Sequence, residues 1–553
     1  VYTWWHWMNG NITKDGITRD LEAMKANGIA GYQLFEAGSG IPIGPVESLS
    51  DEWVDLMLHT LKESERLGLE FAMHNCPGWS SSGGPWITPD KAMQIITWNE
   101  TKVTGGKQIR MQLPIPKHMF DYYIDTYCLA IPANMEVIPK SSVLELSDQL
   151  DKDGVLTWDV PDGEWLVMRF GQTAKDQKNK SAPSKSTGLD CDKFSTEALD
   201  YHLNCMFKRL MPAMEKIARH SKIGLLIDSY ETGDQDWTSD MPACFEKKHG
   251  YALYPFLPAL ANKVVESEES TKRFQFDFRR TRADMFAECY YAHFQKRCKE
   301  KGIITYTEPY GGNMMEELQV AQQLDINMGE FWCGQTVLWA NYKYNRTVKQ
   351  VASIAHTLGG KVVGAEAFTS ESDADKWLQY PYALKSLGDY MFTRGLSRIY
   401  FHRFAHQPHP TAAPGMTMGA WGLHFDRTNT WWKPGKAWID YLNRCQHIFQ
   451  SSTFYGDILY HNGDDSFGST IEPEQTPLAP PEGYDYDMVN TEMLGKARIK
   501  DGKIILPATC FDGYKLLVLL KSETMSLHTL RILDRLVGEG MVLVGQRPLH
   551  TLG

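Results

Sequence analysis

The chain alternates short apolar runs with longer segments in which apolar residues recur at helical spacing. This alternation is typical of βα units that build a parallel sheet. Eight runs are predicted strands, at residues 2–8, 31–35, 70–74, 223–227, 303–307, 326–329, 361–365 and 398–401. Helices are predicted at 14–26, 51–67, 90–98, 196–220, 273–301, 345–358 and 382–393. Eight strands close a (β/α)8 barrel, and the competing doubly wound fold loses support because no GxGxxG motif follows the first run.

Two further segments interrupt or follow this pattern. Residues 101–186 show short alternating stretches separated by turn signals such as Lys152-Asp153-Gly154, which indicates an antiparallel β-rich insertion. The barrel is therefore predicted to occupy 1–100 and 187–450. Residues 451–553 form a second α/β pattern, in which strands at 516–520 and 541–544 flank a helix at 526–537. The abrupt end of this pattern predicts an accessory domain that is truncated.

Composition narrows the class of protein. Hydrophobic residues at 42% and charged residues at 23% are ordinary globular usage, which excludes a largely disordered chain. The net charge of −11 argues against a nucleic-acid binder. No run approaches about eighteen apolar residues, so no membrane span is predicted. The ten cysteines include no CxxC pair, so neither a zinc knuckle nor a disulfide framework is expected.

Titratable side chains stand at the predicted strand ends, where the active sites of (β/α)8 barrels lie. They are His6, Glu36, His74 with Asn75, Asp228 with Glu231, Glu308, Glu330, Glu366 and His402. Carboxylates that face one cavity repel each other, so some pKa values should be raised and one carboxyl should stay protonated. Glycoside hydrolysis needs such a set, with an acid for the leaving oxygen and a carboxylate opposite. A single strand-end Glu has the alternative role of capping a helix or pairing with an Arg.

Tryptophans concentrate near the same strand ends and loops. They are Trp4, Trp5, Trp7, Trp79, Trp86, Trp237, Trp332, Trp421, Trp431 and Trp432. The apolar face of a sugar stacks on an aromatic ring, and the indole N–H stays free to donate a hydrogen bond. About half of these residues are expected to be ordinary packing. Trp4 and Trp7 are the expected core members, since they alternate with Trp5 along the first strand.

The sequence motifs give little support to a catalytic metal or to a nucleophilic serine. The first strand carries one histidine rather than an HxH pair, and no HExxH motif occurs, which argues against a catalytic transition metal. The strand-end histidines are more simply donors to sugar hydroxyls. Oxygen-ligated Ca²⁺ remains open because carboxylates are abundant, although no EF-hand loop is present. The serine run at 80–82 does not match the GxSxG nucleophile elbow.

Several long motifs resemble glycoside hydrolase family 106, the α-L-rhamnosidases. They are WWHWMNGNIT from Trp4, HNCPGWSSSGGPWI from His74, DSYE from Asp228, GAEAF from Gly364 and GMTMGAWGLHFDRTNTWW from Gly415. The segment from Tyr455 looks like the flavodoxin-like accessory domain that follows the barrel in this family. The resemblance implies an exo-acting bacterial enzyme that removes terminal α-L-rhamnose with inversion, aided by Ca²⁺ whose ligands the motifs do not identify.

The resemblance also implies roles for individual residues. Glu231 in DSYE corresponds to the general acid, and Glu366 in GAEAF to the general base, with Glu330 a second candidate for holding the attacking water. Substrate binding is assigned to His6, Trp5, Asn75, Trp79, Asp228, Glu308, His402 and Trp432. Export to the periplasm or cell surface is expected, with a signal peptide removed before Val1 unless the chain is a fragment. The expected partner is a rhamnose-containing oligosaccharide or polysaccharide.

Two other functions stay open. Another exo-glycosidase, such as a β-galactosidase, would use the same acid and partner with a different pocket. A non-catalytic sugar-binding protein is the alternative from a different class, although the retained Glu231, Glu330 and Glu366 argue against it. The sequence does not determine the oligomeric state.

Overall fold

Eight parallel strands close into a barrel in the computed structural model, which describes residues 1–80, 82–334, 338–371, 377–419, 421–464, 467 and 469–552. The strands are β1 (Tyr2–Met8), β2 (Gly31–Ala37), β3 (Glu70–His74), β4 (Ile223–Ile227), β5 (Ile304–Thr307), β6 (Ile326–Trp332), β7 (Val363–Thr369) and β8 (Arg398–Ala405). Each pairs in parallel with the next, and β8 returns to β1. The predicted (β/α)8 barrel is therefore confirmed. Ser81 and Ala420, which fall in two of the quoted motifs, and Gly553 lie outside the described residues.

Strands β6, β7 and β8 run past their predicted ends. The apolar runs stop where Glu330, Glu366 and His402 begin the polar part of each strand, but the backbone ladder continues through these residues. Polar side chains are tolerated there because they face the cavity at the mouth of the barrel. A prediction that follows hydrophobicity therefore ends each strand too early.

Helices surround the barrel and several begin with side-chain caps. Thr13 and Ser50 accept hydrogen bonds from the backbone N–H groups of Gly16 and Trp53, which fixes where the first two helices start. The helix predicted at 196–220 is two helices. The helices following the strands are Lys14–Ala26, Asp51–Leu67, Thr196–Phe207, Met211–Ala218, Met241–His249, Glu268–Met285, a π-helical turn Phe286–Ala292, His293–Lys299, Glu317–Ala321, Leu338–Leu358, Pro381–Thr393 and Lys436–Ser451.

Side chains on β1 alternate between the inside and outside of the barrel. Tyr2 and Trp4 pack inside, against residues of other strands such as Leu226 and Tyr400. Trp5 points outward, where its indole N–H donates to Asp20 of the helix Lys14–Ala26 at 3.3 Å. The prediction of Trp5 at the sugar site is wrong, because successive strand residues point to opposite faces. Trp4 is a buried core residue, as predicted, and its core lies inside the barrel, where Trp4 also lines the cavity.

The β-rich insertion forms antiparallel sheets between β3 and β4. Its main sheet contains Gln94–Thr104, Glu164–Ala174, Ile124–Pro132 and Leu144–Glu145, and a second pairs Lys107–Gln112 with Val155–Val160. The predicted helix at 90–98 is wrong, because this segment enters the strand Gln94–Thr104. Gln94 stands opposite Ala174, so the main sheet begins and ends at one place. Short strands Gly83–Gly84 and Leu189–Asp190 pair on either side of the insertion.

The C-terminal block contains a parallel sheet of strands Tyr486–Val489, Ile458–His461, Leu516–Leu519 and Leu543–Val544, in that order. This order of 2-1-3-4 matches the first four strands of the flavodoxin-like order 2-1-3-4-5. Helices Thr491–Gly495 and Leu527–Gly538 accompany it, with short strands at Arg498–Lys500, Lys503–Ile505, Thr524–Ser526 and His550–Leu552. Among the described residues, no helix is both long enough and apolar enough to cross a membrane.

Candidate active site

A cavity of about 510 Å³ opens at the carboxyl ends of the barrel strands. Its described lining combines carboxylates, aromatic rings and small polar side chains: Trp4, His6, Ser39, Trp79, Lys180, Ser181, Asp228, Ser229, Glu231, Glu330, Trp332, Glu366, Thr369, Glu371, His402, Met418 and Trp421. Strands β1, β6, β7 and β8 contribute directly, whereas the loops after β3 and β4 and the end of the insertion close one side. The mixture of ring faces and convergent polar groups is typical of a sugar-binding pocket.

Glu231 lies at the mouth of this cavity with two donors on one oxygen. Its Oε2 accepts from the indole N–H of Trp79 at 3.0 Å and from the ammonium of Lys180 at 2.5 Å. The side chains of Glu231 and Lys180 are 37% and 52% exposed. Glu231 is therefore accessible to solvent, unlike Glu330 and Glu366, which are buried.

Glu330 and Glu366 stand side by side because they are register partners on β6 and β7. Both side chains are buried at the cavity wall. Glu330 accepts a hydrogen bond from the indole of Trp332, and Glu366 accepts one from the hydroxyl of Thr369. Burial and the neighbouring charge of Glu330 raise the pKa of Glu366 well above its usual range.

Asp228, Glu308 and Glu366 form a buried carboxylate cluster, in which one oxygen of each lies within 4.8 Å of the others. Burial raises the pKa of Asp228 and of Glu308 well above the usual range, and the charges of neighbouring carboxylates act in the same direction. Glu308 accepts a hydrogen bond from the hydroxyl of Tyr310 at 2.5 Å. The expectation that crowding at the strand ends raises carboxyl pKa values agrees with this geometry.

Three histidines lie at the strand ends as neutral rings. His6, Phe35 and His74 form a stack with centroid separations of 5.0 and 5.2 Å. Burial lowers the pKa of His74 to about 4 and those of His6 and His402 well below the usual range. His402 Nδ1 lies 3.5 Å from Glu366 Oε1. Neutral imidazoles can both donate and accept, which suits contacts with sugar hydroxyls.

The insertion holds Lys180 over the cavity through contacts with the loop after β3. Lys180 N donates to Ser80 Oγ at 2.7 Å, and Trp79 N donates to the Lys180 carbonyl at 3.1 Å. A Cβ on Gly78 would stand 2.2 Å from that carbonyl oxygen, so the close approach requires glycine. The backbone segments that carry the two donors to Glu231 are therefore held against each other.

A buried ion pair lies beneath this loop. Lys193 Nζ donates to Asp190 Oδ1 at 2.5 Å and to the Cys191 carbonyl at 2.9 Å, and both charged side chains are completely buried. Asp190 belongs to the short strand that pairs with Gly83–Gly84. The pair thus supports the segment that carries Trp79.

The structure brings most of the predicted site residues together. The cavity lining contains His6, Trp79, Asp228, Glu231, Glu330, Glu366 and His402, and Glu308 joins it through the carboxylate cluster.

Three predicted substrate-binding residues do not face the cavity. Trp5 is fully buried on the outer side of β1. Asn75 is buried between strands, where its amide donates to the Leu226 carbonyl and its side-chain oxygen accepts from Ser82. Trp432 packs its ring against Phe404 and Phe425. These three assignments to substrate binding are wrong, because each side chain is buried and makes its contacts within the protein.

The sequence reasoning did not assign Lys180, Ser181, Ser39, Glu371 or Trp4 to the substrate-binding residues of the cavity. Trp4 could have been placed from the strand period, since it shares a face with His6. Lys180 gives only a weak signal, namely its place in a lysine-rich stretch at 175–185. Its contact with Glu231 depends on how the insertion folds back on the barrel.

Comparison with known proteins gives a consistent family. The model for glycoside hydrolase family 106, described as alpha-L-rhamnosidase, matches residues 1–127 and 116–552. A curated protein of Formosa agariphila, named "Putative beta-glucuronidase", is 39% identical over 578 residues. That alignment covers 99% of this chain and 48% of the relative, so the chain spans about half the length of the curated relative that it matches.

Solved structures share the architecture. A rhamnosidase from Novosphingobium sp. PP1Y has a TM-score of 0.89 at 24% identity, with 100% of this chain and 69% of that chain covered. The β-galactosidase from Bacillus circulans sp. alkalophilus has a TM-score of 0.51 at 10% identity, with coverage of 100% and 72%. That of Halorubrum lacusprofundi has a TM-score of 0.50 at 10% identity, with coverage of 99% and 72%. At these identities the likeness shows the fold alone.

Proposed function

Because the chain belongs to glycoside hydrolase family 106, we propose that it removes terminal α-L-rhamnose from a glycan or glycoside with inversion at the anomeric carbon. One observation carries this proposal: Glu231, Glu330 and Glu366 line a single cavity, with Glu231 exposed at its mouth and the other two buried in its wall. A cavity of about 510 Å³ with a buried floor suits one terminal sugar, which is what an exo-acting enzyme binds.

The proposed reaction divides the carboxylates by environment. Protonated Glu231 gives its proton to the glycosidic oxygen as the bond to the anomeric carbon breaks. A water attacks from the opposite face, and Glu366 accepts its proton while Glu330 holds the water. Burial and the neighbouring Glu330 raise the pKa of Glu366, which makes it a stronger base than an ordinary carboxylate.

Two substrates with different leaving groups distinguish the role of the acid from that of the base. We expect Glu231→Gln to lose about 10²–10⁴-fold in kcat on a rhamnosyl disaccharide, but less on nitrophenyl α-L-rhamnoside, whose leaving oxygen needs little protonation. Glu366→Gln should lower kcat by a similar factor on both substrates, because the base acts on the water and not on the leaving group. Glu288→Gln, which removes an exposed ion pair with Lys248, is the control. Full disaccharide activity in Glu231→Gln, or α-rhamnose as the first product by NMR, would contradict the proposal.

The charge of the cavity favours a neutral sugar over a glucuronide. Its described lining includes Asp228, Glu231, Glu330, Glu366 and Glu371, against Lys180, which is paired with Glu231. A uronic acid bound deep in this cavity would place its carboxylate among like charges without an arginine or lysine to receive it. The name of the Formosa agariphila relative makes β-glucuronide the second candidate substrate. Cleavage of nitrophenyl β-glucuronide or β-galactoside, with nitrophenyl α-L-rhamnoside left intact, would replace rhamnose as the proposed sugar.

The carboxylate cluster fits a bound Ca²⁺. Asp228, Glu308 and Glu366 offer hard oxygen donors, and their 4.8 Å mutual separation is compatible with ligands about 2.3–2.6 Å from one ion. Asp228 Oδ1 and Glu308 Oε1 accept no hydrogen bond from any residue in the described ranges. We therefore propose Asp228 and Glu308 as ligands, whereas Glu366 keeps its role as the base. Bound Ca²⁺ would neutralise the repulsion among the carboxylates and orient hydroxyl groups of the sugar.

Calorimetry and thermal unfolding test this site without reference to activity. After chelation, Ca²⁺ should bind and raise the unfolding temperature of the wild type, whereas Glu308→Gln should lose both effects. Because the ligands must lose protons, the affinity should weaken as the pH falls. Glu288→Gln again serves as the control. Unchanged Ca²⁺ binding in Glu308→Gln would exclude this ligand set.

The proposals for the natural substrate and the location are supported only by membership of the family. We propose a rhamnose-containing plant-type polysaccharide or glycoside as the substrate and the periplasm or cell exterior as the site of action. Fractionation of the source cells, together with reducing-sugar release from such polysaccharides, tests both proposals.

A further inference from the structure

The helix Leu338–Leu358 lies between the barrel and the C-terminal block, and it contacts both. On the barrel side, the hydroxyl of Thr347 accepts a hydrogen bond from the backbone N–H of Glu330 at 2.8 Å. On the other side, Ser353 Oγ accepts from the backbone N–H of Met488 in the C-terminal block at 3.0 Å. A side chain of this helix can therefore connect the C-terminal block to the mouth of the barrel.

Gln350 of this helix makes such a connection. Its side chain is completely buried, and its Nε2 donates to the carbonyl of Pro309 at 2.9 Å. Its Oε1 accepts from Thr470 Oγ1 at 2.9 Å and from Arg346 Nη1 at 3.0 Å. Because both donors meet the oxygen of the amide, its NH₂ group is directed to Pro309.

Thr470 is the member of this set that comes from the C-terminal block. It is buried, and it follows the sheet strand Ile458–His461 in the chain. The next residue, Ile471, donates its backbone N–H to Asn462 Oδ1 at 2.9 Å. Asn462 directly follows that strand, so the segment around Thr470 is attached to the carboxyl end of the sheet of the C-terminal block.

Thr470 also contacts a buried ion pair of the barrel. Arg346 donates to Glu317 through two hydrogen bonds, at 2.7 and 3.0 Å. Glu317 Oε2 accepts from the backbone N–H of Thr470 at 2.9 Å, and Arg346 Nη1 donates to the Thr470 hydroxyl at 2.7 Å. A hydroxyl group has one proton to donate, and here that proton is directed to Gln350 Oε1. Loss of the hydroxyl would therefore remove one of the two donors that orient the Gln350 amide.

The contact that Gln350 makes with Pro309 lies next to the carboxylate cluster. Pro309 stands between Glu308 and Tyr310, and the hydroxyl of Tyr310 donates to Glu308 Oε2 at 2.5 Å. A hydrogen bond to the Pro309 carbonyl restrains the backbone between these two residues, so it helps to set where the Glu308 carboxylate lies. Outer residues that orient a metal ligand in this way typically change metal affinity or activity by about 10–100-fold when they are replaced.

We propose that Thr470 of the C-terminal block is a positioning residue, which acts through Gln350 to hold Glu308 in the carboxylate cluster. The inference rests on the proposed function, in which Glu308 is a Ca²⁺ ligand beside the catalytic carboxylates. It adds that the active site depends on the C-terminal block, through a contact that reaches the cluster from outside the barrel.

Two substitutions of nearly constant size break this connection. Thr470→Val removes the hydroxyl, and Gln350→Met removes the amide. In calorimetry after chelation, we expect Gln350→Met to weaken Ca²⁺ binding about tenfold and Thr470→Val to weaken it about threefold to tenfold. At a Ca²⁺ concentration that half-saturates the wild type, kcat on nitrophenyl α-L-rhamnoside should fall in the same order. Thr470→Ser, which keeps the hydroxyl, should retain the wild-type values.

Ser353→Ala is the matched control. It also removes a completely buried hydroxyl from a contact between the helix Leu338–Leu358 and the C-terminal block. The partners of Ser353 are the backbone groups of Met488 and Lys349, rather than the segment that follows β5. This variant should lower the unfolding temperature but leave the Ca²⁺ affinity unchanged. An equal loss of affinity in Ser353→Ala and Thr470→Val would indicate a general effect of the interface and would overturn the inference.

A double variant tests whether Thr470 acts through Gln350. In the Gln350→Met background, the further change Thr470→Val should alter the Ca²⁺ affinity little, because the connection is already broken. Losses that multiply in the double variant would overturn the inference. Wild-type affinity in either single variant would overturn it as well.

The wild type separates failure of this inference from failure of the proposed function. If the wild type binds Ca²⁺ and cleaves the rhamnoside, unchanged affinity and kcat in Thr470→Val overturn the inference alone. If it binds Ca²⁺ but cleaves no rhamnoside, the proposed function fails, and the affinities of the variants still decide the inference. If it does not bind Ca²⁺, Glu308 is not a ligand and the inference fails with that assignment.

Discussion

Replacing Lys193 by Met should strongly destabilise the protein. Lys193 and Asp190 are both completely buried, with Nζ 2.5 Å from Oδ1, and the ammonium also lies 5.3 Å from the ring centre of Tyr290. Removal of one partner from a buried ion pair costs about 3–5 kcal/mol, because the remaining charge stays in the interior without compensation. Burial already raises the pKa of Asp190 to about 6 in the presence of Lys193. We therefore expect the loss to be largest well above that pH.

Urea unfolding followed by tryptophan fluorescence checks this prediction. At about pH 8 the midpoint of Lys193→Met should fall sharply, and at about pH 5 the loss should shrink because Asp190 takes up a proton. The double variant Asp190→Asn with Lys193→Met should recover much of the stability, since it leaves no charge buried. A loss below about 1 kcal/mol at the higher pH, or a double variant no more stable than the single one, would refute the reasoning.

Three further predictions concern the barrel mouth. Glu36 has its pKa raised to about 7 by burial, so its contribution to stability is present below the unfolded pKa and lost as pH rises through 7. Calorimetry should therefore show Glu36→Gln more stable than wild type at about pH 8, by about 1–3 kcal/mol, but not at about pH 5. Trp79→Phe removes one donor to Glu231 and should lower kcat about threefold to tenfold with KM little changed. Trp4→Phe should raise KM in rhamnoside kinetics, whereas Trp5→Phe should lower only the unfolding temperature.

Each of these three predictions has a contrary result. Equal pH profiles of stability for wild type and Glu36→Gln would mean that the carboxyl group is solvated. An unchanged kcat in Trp79→Phe would show that the indole contact does not position Glu231. A higher KM in Trp5→Phe would reverse the assignment of faces on β1.

The barrel could be predicted because its strands are fully buried and therefore appear as uninterrupted apolar runs. The carboxylates followed from the same pattern, since polar residues at strand ends in a barrel share one mouth. The face of each β1 tryptophan was also available in principle. His6 marks the inner face of β1, so Trp4 shares that face and Trp5 cannot. Aromatic residues occur on both faces of β1, so hydrophobicity alone does not show which residues point into the barrel.

Other features depend on tertiary contacts that local sequence does not encode. Residues 94–98 are extended because they pair with the strand Glu164–Ala174, a partner far along the chain. Trp432 is buried because its ring packs against Phe404 and Phe425, which come next to it only in the folded protein. Lys180 meets Glu231 because the loop after β3 and the end of the insertion are hydrogen-bonded to each other. No periodicity along the chain signals such an encounter.

The pairing of Gln94 with Ala174 makes the main sheet of the β insertion, residues 94–174, an exchangeable cassette. Its main sheet enters and leaves the barrel at neighbouring strand positions, so a foreign sheet of similar width can be spliced there without moving either end. The graft would have to supply an apolar face, because Leu129, Ile131 and Phe170 belong to the core shared with the barrel. Lys180 and the join between Gly83–Gly84 and Leu189–Asp190 lie outside the cassette. Replacing this sheet could therefore change the surface outside the barrel, while the catalytic carboxylates at the barrel mouth stay the same.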